Sequence, residues 1–148
     1  MKRTCGFTLI ELSVVVVIIG IMASLVAARI FRGYQERARV AEAAGILSAI
    51  SRGQVAYFDR HGFFLAATGA LLQPDEWEEL GLQVPPGAGV YWDYGIWGTG
   101  GNDVWVVARR TGFDADPGLA GGLLLLSSDG TWTGSGPYAP GGPYAPTK

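Results

Sequence analysis

Between Phe7 and Ala28 the chain is almost continuously apolar, and only Thr8, Glu11, Ser13 and Ser24 interrupt it. As a helix this stretch would be about 33 Å long at a rise of about 1.5 Å per residue. A bilayer's hydrocarbon core is about 30 Å thick, so the run predicts a single membrane span. Beyond Ala28 polar residues enter with a helical period. Val40, Ala43, Leu47, Ile50 and Tyr57 share a stripe at spacings of three and four, with Gln54 as its polar member. No proline precedes Pro74. The pattern therefore predicts one long helix from about Thr8 to Asp59, apolar all round in its first half and amphipathic in its second. Gly33, Gly45 and Gly53 are soft points, each costing about 1 kcal/mol against Ala. Gly62, after His61, suits a C-terminal cap.

The period then changes. Pro74-Asp75-Glu76-Trp77-Glu78-Glu79-Leu80 predicts a short helix with an acidic first turn, and Pro85-Pro86-Gly87 ends it. Val90, Trp92, Tyr94 and Ile96 alternate onto one face of a strand. After a loop at Gly98 to Asn102, a second strand is predicted over Asp103–Arg109 and a third over Gly122–Ser127. Asp129-Gly130 is a tight hairpin signal leading into Thr131-Trp132-Thr133. The fold class that follows is α+β, a long N-terminal helix (about 8–59) packed on a small antiparallel sheet of three or four strands. The pentapeptide GPYAP occurs twice, at Gly136–Pro140 and Gly142–Pro146. It predicts an extended, flexible end over 135–148, with a Pro-rich partner ligand as the weaker reading.

Composition narrows the class. The chain has 148 residues, of which 49% are hydrophobic and 16% charged, too apolar for a disordered chain. All five Trp lie beyond residue 76, which marks the head as a separate structural regime. The net charge of −2 hides an asymmetry. Residues 29–60 hold six Arg against Glu36, Glu42 and Asp59, a balance of +3, whereas residues 61–148 hold three bases against nine acids, a balance of −6. The two regions either meet in neighbouring copies or are simply two solvated faces. An acidic head argues against a nucleic-acid partner. Cys5 and His61 are the only residues of their kinds. That excludes a disulfide within the head and argues against a zinc or Cys–His catalytic site. No nucleophile-elbow sequence occurs either. The expectation is a protein that is not an enzyme and uses no cofactor.

The N-terminus, MKRTCGFTLIELSVVVVIIGIMASLVAARI, admits three readings. A secretory signal would use Val26 and Ala28 before a cut at Arg29, but the apolar run exceeds an ordinary h-region and contains Glu11. An uncut anchor leaves Glu11 unexplained, because an acid at a span's centre costs about 2.5–3.5 kcal/mol. The third reading rests on Gly6-Phe7-Thr8-Leu9-Ile10-Glu11-Leu12 and the Val/Ile run from Val14 to Ile19. A short basic leader ending in Gly, then Phe, then Glu at the fifth position, resembles the class III signal of type IV pilins and type II secretion pseudopilins. Counting Lys2 and Arg3 before the run against Arg29, Arg32, Arg37 and Arg39 after it would point the other way in the membrane. The leader pattern is the more specific signal.

The resemblance implies a leader at 1–6, a filament-core helix half at 7–28, an amphipathic half at 29–61, a head at 62–134 and a tail at 135–148. It implies a lollipop-like pilin subunit of a type IV pilus-like filament. A prepilin peptidase would cut between Gly6 and Phe7 and methylate the new Phe7 amine. Glu11 would pair with that amine on a neighbouring copy and set axial register. The implied partners are the peptidase, copies of this chain and other pilins, an inner-membrane assembly platform, and membrane lipid. The implied location is a single inner-membrane pass, then a periplasmic or extracellular filament. The alternatives are a pseudopilin of type II secretion, or a membrane-tethered binding module using this anchor. Some major pseudopilins bind calcium, which makes Asp114 and Asp116 weak candidates. Calcium takes six to eight oxygens, and Asp103 and Asp129 are the further candidates beside these two. A turn using Asp and Pro is the simpler reading, so no metal is expected.

Overall fold

A computed structural model describes residues 7–67, 71–98 and 104–146. The chain divides into two compact units, Met1–Glu36 and Arg37–Lys148. The long helix predicted from the sequence is present as α1, Leu9–His61. It ends where Gly62 takes a left-handed φ of 78° and its N–H bonds back to the Phe58 carbonyl at 2.7 Å.

The large hydrophobic side chains from Phe7 to Val26 are 45–87% exposed. The helix is long and apolar enough to cross a membrane. Its serines are satisfied locally: Ser13 Oγ donates to the Ile10 carbonyl at 2.8 Å and Ser24 Oγ to the Ile21 carbonyl at 2.7 Å. Such back-bonding lets a hydroxyl sit in an apolar medium without an orphan donor.

The second unit is built on a four-stranded antiparallel meander. Its strands are β1 (Trp92–Gly98), β2 (Val104–Arg110), β3 (Leu123–Ser127) and β4 (Trp132–Gly134), in the order β1-β2-β3-β4. Registers such as Ile96↔Val106 and Val106↔Leu126 put one residue set on a single face. Trp92, Tyr94, Ile96, Val106, Ala108, Leu124 and Leu126 are buried there, and they share one core with Val40, Ala43, Leu47, Ile50 and Tyr57 of α1. Burying a Leu or Ile side chain is worth about 1.5–3 kcal/mol. Val90, expected on that face, lies before the strand and is exposed. Asn102 and Asp103, expected in the loop and at the start of the second strand, lie outside the described residues.

The polar member of the helix stripe has a clear use. Gln54 is buried, and its amide pairs with the backbone of Leu65 through two bonds of 3.0 Å, tying the post-helix segment to α1. Gly53 is more than a soft point: a Cβ there would fall 2.9 Å from the Leu80 carbonyl oxygen. It lets the end of α2 (Pro74–Glu79) approach the long helix closely. The start of α2 is fixed by Glu76, whose carboxylate accepts the Gln73 N–H at 2.8 Å in a capping-box arrangement.

The tail is the main correction. Over 136–146 the chain is not an extended end. Gly136–Tyr138 form a short 3-10 turn, and Tyr138 is fully buried with its ring edge-on to Trp92. Composition alone hid this, because the burial depends on space that glycines leave elsewhere in the fold.

Candidate functional site

The sequence motif falls on the first turn of α1. Glu11 Oε2 accepts the Thr8 backbone N–H at 3.1 Å and the Thr8 hydroxyl at 2.9 Å. In return the Glu11 N–H donates to Thr8 Oγ1 at 3.3 Å. This reciprocal pair is a capping box, satisfying donors that a helix start would otherwise leave open. A negative charge in a first turn also complements the helix dipole. Glu11 therefore has a structural partner within its own chain. Among the described residues its Oε1 makes no hydrogen bond, so one oxygen braces the helix start and the other remains available.

Thr8 is the residue that sequence reasoning passed over, as one of four polar interruptions. The signal was legible: Thr8-Leu9-Ile10-Glu11 has the Thr-x-x-Glu spacing of a capping box ahead of an apolar run. Phe7, the predicted new N-terminus, is 78% exposed just ahead of this turn. Gly6, the other half of the predicted cleavage pair, lies outside the described residues.

Among the described residues no three His, Cys, Asp or Glu side chains are placed to hold an ion. Asp114 instead receives Arg39 from α1: Nη2 lies 2.7 Å from its Oδ2, and Nη1 donates to its carbonyl at 3.3 Å. The Arg39 guanidinium also lies 4.3 Å from the centre of the Tyr91 ring. Arg110, buried beneath, donates to the carbonyls of Tyr91 and Phe113, both at 3.1 Å. Arg39 thus meets the Asp114 carboxylate, while Arg110 ties the backbone on either side of the loop. Asp129 serves its hairpin: Oδ1 accepts the Thr131 N–H at 2.8 Å, which holds its carboxyl below the usual carboxylate range.

No curated protein and no solved structure matches the chain. A family model does match residues 1–27, that of the prokaryotic N-terminal methylation motif. The match covers the leader, Gly6, Phe7, the Thr8–Glu11 box and the apolar run. The chain thus carries a prepilin-type signal, the N-terminal signature of type IV pilin and pseudopilin precursors.

Proposed function

We propose that the chain is a structural subunit of a type IV pilus-like filament. In this reading prepilin peptidase cuts between Gly6 and Phe7 and methylates the Phe7 amine. The subunit waits in the inner membrane through the first half of α1. It then leaves the lipid by packing that helix against other copies, in a periplasmic or extracellular filament.

The observation that carries the reading is a helix half whose large apolar side chains are exposed, with one carboxylate in its first turn. Lipid or other helices can cover Phe7 to Val26, but Glu11 needs a cation in either setting. The ammonium created at Phe7 of a neighbour supplies one, and Oε1 can take it while Oε2 keeps the Thr8 cap. Removing one partner of a buried charge pair costs about 3–5 kcal/mol, so the pair penalises every misregistered stagger.

The experiment is Glu11→Gln in the otherwise native chain, with filaments counted by electron microscopy. The expected result is a membrane-inserted, correctly processed subunit with filaments lost or irregular in stagger. Filaments of normal number and helical symmetry would contradict the proposal.

A further inference from the structure

Neither the anchor nor the sheet accounts for the repeated pentapeptide GPYAP at Gly136–Pro140 and Gly142–Pro146. The first copy fills a specific seat. Tyr138 has no exposed surface, and its ring centre lies 5.4 Å from that of Trp92 at 66°. Gly122 forms the floor: a Cβ there would fall 2.4 Å from the ring's Cε2. A Cβ on Gly134 would fall 2.4 Å from the Tyr138 carbonyl oxygen. The second copy sits outside this seat. Tyr144 is half-buried, its ring is 6.1 Å from that of Tyr138, and its N–H donates to the Pro137 carbonyl at 3.1 Å. It flanks Val40, Ala41 and Ala44 of α1, with a cavity of ≈ 520 Å³ between tail and helix.

We propose that the tail is a two-register latch, in which either copy of the pentapeptide can fill the Tyr138 seat. Both copies offer the same tyrosine between the same proline and alanine. Gly136 adopts a left-handed φ of 57°, and the second copy has Gly142 at the equivalent place, so it can make the same turn. Moving Tyr144 into the seat lengthens the separation from Gly134 from four positions to ten (138 − 134 against 144 − 134). Loop-closure entropy rises only logarithmically with length, so this change is modest. The first register is favoured by that shorter connection and by the close fit of Gly142, where a Cβ would lie 2.5 Å from the Pro137 carbonyl oxygen. In the second register residues 136–141 loop out, and the α1 face at Val40, Ala41 and Ala44 loses its cover. The latch therefore links the state of the tail to access to the helix. The inference rests on the packing of the second unit and stands apart from the filament reading.

The test uses the full chain in detergent micelles, with near-UV circular dichroism and thermal unfolding of Tyr138→Ala, Tyr144→Ala and the double variant. Tyr144→Ala should melt close to the native chain. Tyr138→Ala should keep the Trp–Tyr near-UV band, with a fall in Tm less than half that of the double variant, which loses the band. A Tyr138→Ala chain that falls as far as the double variant, or fails to fold, overturns the latch. Deleting residues 136–141 joins Ser135 directly to Gly142. That chain should fold with Tyr144 shielded from solvent quenchers, and an accessible Tyr144 would equally overturn the proposal.

Discussion

Val15 and Val106 take the same side chain into opposite surroundings. Val15, in the first half of α1, is 45% exposed, while Val106, in β2, is 1% exposed. The second unit is stabilised by its own core. In the first, the large apolar side chains from Phe7 to Val26 are exposed, a surface that lipid or other copies can cover. The same apolar chemistry builds a core in one region and an exposed helix surface in the other. What separates them is periodicity: an amphipathic stripe folds inward, whereas an all-round apolar helix needs an apolar medium.

The sharpest way to break this comparison is a pair of truncations. Leu47 is fully buried, so Leu47→Ala should lower the stability of the second unit by about 2–5 kcal/mol, read by tryptophan fluorescence in denaturant. Val15→Ala should leave that transition unchanged. Equal shifts for both would show that the two regions share one core.

Much of this contrast was legible beforehand. The stripe through Val40, Leu47, Ile50 and Tyr57 and the alternation of Trp92, Tyr94 and Ile96 each follow one period, because one face of each element meets the core. That Glu11 falls in the first turn of the long helix was legible too, because the apolar run begins at Phe7. The seat of Tyr138 was not: it depends on Gly122, just before β3, and on Gly134, at the end of β4, and neither glycine carries a periodic signal. The Arg39–Asp114 tie was hidden as well, because it joins residues 75 positions apart.

A second, intermediate effect concerns alkaline pH. Burial pushes the Tyr94 hydroxyl up, and the nearby Glu42 carboxylate adds to the shift. An unfolded tyrosine ionises near about 10, so the folded state holds this proton more tightly. The stability it confers is complete below that value and is lost as pH rises beyond it. Tyr94→Phe should therefore flatten the alkaline limb of a stability–pH profile. An unchanged slope would mean that Tyr94 ionises as freely in the fold as outside it.

The smallest effect is expected at Arg39. Its partner Asp114 has a side chain 64% exposed, and ion pairs of that kind contribute about 0–1 kcal/mol. Arg39→Met should barely move the melting point, yet it should speed amide exchange at Phe113 and Asp114. Unchanged exchange would show that Arg110 alone holds the loop.

The most direct measurement is mass spectrometry of the intact chain recovered from its native membrane. An assembly subunit predicts a polypeptide that begins at Phe7 and carries one methyl group on its amine. A chain that begins at Met1, or one that begins at Arg29, would contradict the account.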